Sequence, residues 1–210
     1  MIDITAVLSE LALQRQIFHS EADFQHALAW EIQRHLPSAA IRLEFPLVLA
    51  DQQAYIDIWI RQANAVLALE LKCKTRALSV IVGGEKYRLK DQSAQDIARY
   101  DFAKDIQRLE QALAEYGQGK GVGYAILLTN DSAYWKLPRN NRTVDVDFRL
   151  HVGRVLSGVL GWRGAGKGTT RGRESPIVLK HRYPIKWHDY SRLNIGGYNR
   201  FRYLAVRVVP

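Results

Sequence analysis

The stretch Ala54-Tyr55-Ile56-Asp57-Ile58-Trp59-Ile60-Arg61-Gln62-Ala63-Asn64-Ala65-Val66-Leu67-Ala68-Leu69-Glu70-Leu71-Lys72-Cys73-Lys74-Thr75 decides the fold. Two runs dense in branched and large apolar residues flank a turn-like break at Gln62-Ala63-Asn64, so residues 54–61 and 66–74 read as two strands. A connection this short makes them an antiparallel hairpin. Successive side chains of a strand point to opposite faces. On the second strand Leu67, Leu69, Leu71 and Cys73 therefore share one face, and Val66, Ala68, Glu70, Lys72 and Lys74 share the other. On the first, Ile56, Ile58 and Ile60 take one face and Asp57 the opposite one. Each strand thus carries a carboxylate at its middle, where a buried strand is ordinarily apolar. Asp57 and Glu70 lie about equally far from the turn and can converge, with the Lys72 ammonium alongside. Like charges at close range are costly unless a cation neutralises them, and two such carboxylates are the minimum set for a hard divalent cation.

Upstream, residues 41–49 read as a third strand, set off by Asp51-Gln52-Gln53. Before it, Phe24, Leu28, Ile32 and Leu36 recur every fourth residue, giving a helix that runs to about His35 and stops at Pro37. Ser20 followed by Asp23 is the N-cap signature of that helix, with Glu21 in its first turn. Residues 3–18 have helical spacing through Ile4, Val7, Leu8, Leu11 and Leu13. Downstream, Gly83-Gly84 breaks the chain, and a long helix is expected over residues 91–116 with Ala94, Ile97, Ile106, Leu109 and Leu113 on its inner side. Residues 122–129 form an unbroken apolar run, the pattern of a strand covered on both faces. A last strand is expected over 202–209. The expected class is α/β, a mixed central sheet flanked by helices.

At 210 residues, 47% hydrophobic and 24% charged, the chain is sized for one globular domain and is not a disordered one. No apolar run approaches the roughly 20 residues of a membrane span, the first ten residues lack a secretory signal pattern, and the lone Cys73 excludes a disulfide framework. A cytoplasmic protein is expected. The net charge of +9 is unevenly placed: residues 1–133 hold 14 Lys and Arg against 17 Asp and Glu, and residues 134–210 hold 16 against 4. Such asymmetry points to a polyanionic partner, most simply nucleic acid, on the C-terminal part. Arg outnumbers Lys there by 12 to 4, the bias of phosphate-gripping surfaces. Ten aromatic residues, from Tyr134 to Tyr203, mark the basic part as folded. The expected division is a core over 1–133 and a basic, aromatic-rich extension over 134–210 that completes the same domain.

Asp57 followed by Glu70-Leu71-Lys72 on the next strand, inside a helix–meander–helix–strand order, resembles the PD-(D/E)XK nuclease superfamily, which includes type II restriction enzymes and Holliday-junction resolvases. The resemblance covers residues 19–130, and Ile56 stands where the motif's proline would be. It implies a restriction-endonuclease-like αβββαβ core and a Mg²⁺-dependent (or Mn²⁺-dependent) endonuclease of restriction, defence or repair type, acting on DNA. Asp57 and Glu70 would hold the metal with the Leu71 carbonyl as a third ligand, and Lys72 would position or deprotonate the attacking water. Glu21 matches an acid that often joins the metal from the first helix, although it reads equally as a first-turn acid complementing the helix dipole. Gln92, Gln95 and Tyr100 are either accessory residues or ordinary helix surface and core. Such nucleases often act as homodimers; no membrane association is implied.

Arg99, Lys104 and Arg108 read either as phosphate contacts or as i,i+4 partners of Asp101 and Asp105. Residues 161–173, GWRGAGKGTTRGR, read as a flexible Gly/Arg loop with Arg163, Lys167, Arg171 and Arg173 as candidate nucleic-acid contacts. Gly168 stands where a nucleotide-binding loop needs Ser or Thr, so no NTP site is expected. Cys73 faces away from the acids as core. His26 and His35 lie on a helix without a matching acid pattern and read as surface. The rival classes are a catalytically inactive nucleic-acid-binding module on the same fold, and an interaction subunit docking through its aromatic tail.

Overall fold

A computed structural model describes residues 2–140 and 142–210. The chain opens with α1 (Ile4–Gln14), capped by Asp3, whose carboxylate accepts from the Thr5 and Ala6 amides. The helix stops four residues short of the expected reach; Leu13 lies on its outer side, 86% exposed, instead of in the core. Helix α2 (Glu21–His35) starts at the Ser20 cap, whose hydroxyl accepts the Asp23 amide at 3.1 Å, and ends at Leu36, whose backbone the following proline steers away from the helical region.

Strands β1 (Ala40–Leu49), β2 (Gln52–Gln62) and β3 (Ala65–Lys74) form the expected antiparallel meander. The first turn has Ala50 and Asp51 both in the left-handed region, at φ 47° and 60°, which matches the twist of the flanking strands. Gly83-Gly84 is more than a break. It is the two-residue turn of a separate small hairpin, β4 (Leu78–Val82) and β5 (Glu85–Leu89), that the sequence reading did not find. Helix α3 (Gln95–Tyr116) begins four residues later than expected. The preceding segment is held in extended form by Gln92, whose amide oxygen accepts the Thr75 N–H at 2.9 Å. Strand β6 (Gly121–Thr129) then pairs parallel with β3 along its whole length, from Val66 opposite Gly121 to Lys74 opposite Thr129.

The basic region continues the same sheet. After β7 (Val155–Leu160), the short α4 (Lys167–Thr170) and β8 (Ile177–Pro184), strands β9 (Trp187–Arg192) and β10 (Arg200–Val208) extend it, giving six strands in the order β1-β2-β3-β6-β10-β9. One face, with Ile58, Leu67, Leu69, Leu71 and Ile126, packs against α1 and α2 through Leu8, Phe24, Leu28 and Ile32. The other, with Trp59, Val66, Ala68, Ala125 and Leu204, packs under α3 through Ile106, Leu109 and Leu113, and under the β7–β8 hairpin. Burial of both faces accounts for the unbroken apolar run of β6. No described helix is long and apolar enough to cross a membrane.

One residue departs from the expected alternation. Ile56 belongs to the α3-side core with Trp59, not to the α2-side core with Ile58 and Ile60. The β1–β2 ladder skips the pair Glu44 opposite Asp57, and Glu44 sits at φ 48°, so the hairpin is kinked between Ile56 and Ile58.

The β7–β8 hairpin is tied to α3 by Glu110, which is buried and accepts the Lys180 and His181 amides and the Tyr183 hydroxyl at 2.7–3.1 Å. Replacing it orphans three donors at once. Glu110→Ala is expected to lower the free energy of unfolding by about 3 kcal/mol and Tyr183→Phe by about 1 kcal/mol. Urea titration of both variants measures this; an unaltered Glu110→Ala would mean that apolar packing alone holds the hairpin.

Candidate active site

The site begins where β2 leaves β3. Their ladder ends at the pair Ile58 and Leu69, one residue short of placing Asp57 opposite Glu70. From there β3 pairs with no described strand on that edge, and its amides must be satisfied by other groups. Side chains do so. The Asp57 carboxylate accepts the Leu71 N–H at 2.5 Å, Glu21 Oε2 accepts the Cys73 N–H at 2.7 Å, and Gln92 accepts the Thr75 N–H. Behind Asp57, the buried Gln25 of α2 donates from Nε2 to the Asp57 carbonyl and to Glu44 Oε1, both at 2.7 Å, and fixes the kinked strand.

On the α3 side, Glu70 is 1% exposed. Helix α3 answers it with Arg108, whose Nη1 donates to Glu70 Oε1 at 2.7 Å, and with Asp105, which pairs with Lys72 Nζ at 2.8 Å and with Arg108 at 3.3 Å. Three carboxylates (Asp57, Glu70, Asp105) and two cations (Lys72, Arg108) therefore occupy one nearly dry seam. Glu70 Oε2 is buried without a hydrogen-bond partner. Lys72 Nζ also donates to the Leu71 carbonyl at 3.2 Å.

Burial governs the protonation states. It pushes Asp57 up to about 6, against the opposing pull of the Leu71 amide and Lys72. It also drives Glu70 upward, with the Asp105 charge adding to the effect and Arg108 resisting it. Burial works against the Lys72 ammonium, but Asp105, Glu21 and Glu70 together outweigh it and hold Lys72 above its ordinary value. Lys72 is thus a cation at neutral pH, suited to facing negative charge and not to taking a proton from water.

The other sequence candidates have structural employment. Glu21 caps the Cys73 amide and lies 3.7 Å from Lys74 Nζ. Gln95 donates to Asp131 at 2.8 Å. Tyr100 is buried, stacked on Trp162, and donates to the Ser175 carbonyl. Arg99 is paired with the buried Asp145. In the Gly/Arg loop, Arg163 pairs with Asp147 and Arg173 with Asp101, whereas Lys167 and Arg171 are exposed. Arg173's bond to α3 brings Arg171, Gly172 and Arg173 to the seam, where with Lys72, Lys104, Asp105 and Arg108 they line a hollow of 290 Å³. An adjoining hollow of 440 Å³, sharing Lys104 and Arg108, opens along Asp57, Glu44 and Gln53. Together they make a groove past Asp57 and Lys72 with cations on its rim. A larger cavity of 560 Å³ lies at the other end of β3, around Ala65, Val66, Gly121 and Arg207, and contains no acid.

Asp105 is the residue that sequence reasoning missed as a site member. Its signal was available: an acid on the helix stripe Ala98, Phe102, Leu109 and Ala112, every other member of which is buried and apolar. The chain matches no family model, no curated protein and no solved structure.

A carboxylate whose folded value is raised binds its proton more tightly when folded. Asp57 therefore costs nothing below its unfolded value of 3.8, and stability is lost as pH rises through about 6. Asp57→Asn is expected to stabilise the chain by about 2–3 kcal/mol at pH 8 and by nearly nothing at about pH 4. Urea unfolding of both proteins at the two pH values checks this; a gain that is the same at both would remove burial as its cause.

Proposed function

We propose that the chain is a divalent-metal-dependent DNA endonuclease with a restriction-endonuclease-like core formed by α2, β1, β2, β3, α3 and β6. The observation that carries the reading is the placement of Asp57, Glu70 and Lys72 on the α3 side of the sheet, at the fork between β2 and β3, with β3 and β6 parallel. The donor set fits a hard cation. Glu70 Oε2 is buried and unpartnered, Asp57 is destabilised as a bare anion by burial, and the Leu71 carbonyl directly follows Glu70 on β3, one residue beyond it. Asp57 and Glu70, with the Leu71 carbonyl, would hold the ion; Glu21, already engaged by Cys73 and Lys74, is left out of the set. When bound, such an ion supplies Lewis acidity at a phosphate oxygen and lowers the pKa of a coordinated water.

The chain's own residues supply the rest. Lys104 and Arg108 on α3, with Arg171 on the facing loop, draw a phosphodiester into the groove. Lys72, kept protonated by Asp105, faces the charge that grows on the phosphoryl oxygens and stabilises it. Asp105 positions Lys72 and does not touch the substrate. The +12 balance of residues 134–210 favours a long polyanion over a small phosphoester.

One observation favours a second reading, a non-catalytic nucleic-acid-binding module. Arg108 on Glu70 and Lys72 on Asp105 pair two of the seam's three carboxylates with protein charges alone, an arrangement that can stand without a metal. Cleavage separates the two. With plasmid DNA and Mg²⁺ or Mn²⁺, the wild type is expected to cut and EDTA to stop it. Asp57→Ala, Glu70→Gln (which keeps an oxygen for Arg108) and Lys72→Ala are each expected to lose at least about a hundredfold in rate, with circular dichroism unchanged. Salt-sensitive binding with no cleavage under either metal would select the binding module. Wild-type rates in all three variants would remove the site.

A further inference from the structure

Helices α1 and α2 run antiparallel, with Gln14 beside Glu31 and Glu10 beside His35. Glu31 is 3% exposed, and its two oxygens are treated differently. Oε2 accepts from Gln14 Nε2 at 3.2 Å and from Arg34 Nη1 at 3.0 Å. Oε1 is buried with no hydrogen-bond partner and is aimed at His35 Nε2, 3.6 Å away. The same His35 nitrogen lies 3.1 Å from Glu10 Oε2, and the three ligand atoms lie within 4.8 Å of one another. Glu31 and His35 are four residues apart on one helix face, which is how a helix offers two ligands to one ion. His35 reads as surface in the sequence because Glu10, the acid nearest its ring nitrogen, comes from another helix.

We infer that Glu10, Glu31 and His35 form a binding site for a zinc-class divalent ion, separate from the Asp57–Glu70 groove. A tetrahedral ion with bonds of roughly 2.0–2.1 Å sets its ligand atoms about 3.3–3.4 Å apart, and the two His35 separations of 3.1 and 3.6 Å bracket that value. An imidazole nitrogen between two carboxylates selects a borderline ion such as Zn²⁺ over Mg²⁺. Gln14 and Arg34 act as outer partners. They hold one oxygen of Glu31 so that the other is presented, the arrangement that orients metal-bound carboxylates. Three protein ligands leave one position open to water, and Glu10 and His35 are exposed enough to admit the ion. His35 closes α2 at the end opposite Glu21, about 20 Å along the helix axis, so the two sites do not share a residue. An ion here would staple α1 to α2. Because the Arg15 and Gln16 carbonyls just past α1 accept the Tyr190 and Ser191 hydroxyls of β9, the staple would also secure that edge of the sheet.

The experiment is thermal unfolding of the full EDTA-stripped chain with and without Zn²⁺. Wild type is compared with Glu10→Gln, His35→Asn, and the double variant Asp57→Asn, Glu70→Gln. Glu10 and His35 are both partly exposed, so neither substitution threatens the core. The expected result is a rise of about 5–10 °C in Tm at roughly a hundredfold excess over Kd, present in the wild type and the groove variant and lost in the other two. Co²⁺ should give visible tetrahedral absorption that His35→Asn removes. Absence of any Zn²⁺ shift in the wild type overturns the inference, as does a shift that survives in Glu10→Gln and His35→Asn. A shift lost only in the groove variant also overturns it, by assigning Zn²⁺ to Asp57 and Glu70. Failure of the nuclease reading leaves these outcomes unaffected.

Discussion

The ion pair between Glu70 and Arg108 is the contact around which the rest of the structure is arranged. A carboxylate 1% exposed on a central strand cannot remain charged there without a partner. The partner has to come from the element covering that face, which is α3. Once Arg108 reaches Glu70, Asp105 one turn earlier is carried over Lys72, and the second pair forms. Two charge contacts on two alternate residues of β3 fix both the height and the rotation of α3 on the sheet. Apolar packing by Ile106, Leu109 and Leu113 supplies most of the attraction, but it would tolerate small slides of the helix that the ion pairs do not.

A second constraint is the free edge of β3. Every second amide from Leu71 onward lacks a strand partner, and three side chains from three elements take the place of the missing strand: Asp57 from β2, Glu21 from α2, Gln92 from the segment before α3. The residues that looked like a catalytic set from their spacing are therefore partly a backbone-satisfying set. Asp57 has the means for both purposes, since a carboxylate that takes one amide still has a second oxygen. In Glu21 both contacts fall on one oxygen: Oε2 accepts the Cys73 amide and lies 3.7 Å from Lys74 Nζ.

What could be read from the sequence follows from which forces are local. The meander, the face assignments of β3 and the double burial of β6 are consequences of period-two alternation and of apolar runs, and all three stand in the structure. The α2 cap was legible because Ser20 and Asp23 interact within one turn. Features that depend on distant chain were not legible. Ile56 changes sides because Glu44, on another strand, adopts a left-handed backbone. The stripe on α3 marks Asp105 as facing inward, but its partner was not legible, because nothing local says that Lys72 lies beneath it. The β4–β5 hairpin escaped notice because two five-residue strands with exposed outer positions carry little hydrophobic signal around Gly83-Gly84.

The uneven charge of the sequence takes on a different meaning in three dimensions. The basic region is woven into the body of the fold, since β9 and β10 finish the sheet and β8 is bound to α3 by Glu110. Arg173 reaches back to Asp101 on α3, and this one pair lays the Gly/Arg loop along the groove that contains Lys72. The loop's cations therefore stand opposite those of α3, with the acids of the seam at the bottom between them. Phosphate groups of the proposed substrate would be attracted to the rim from outside by many weak, screened interactions. Inside, at low dielectric, the few fixed charges of Asp57, Glu70 and Lys72 act far more strongly on whatever enters. In the proposed nuclease such an ordering would separate capture, which needs many exposed cations and little geometry, from chemistry, which needs few charges held rigidly; Lys104 of α3 and Arg171 of the facing loop would meet the first need, and the paired charges of β3 and α3 the second.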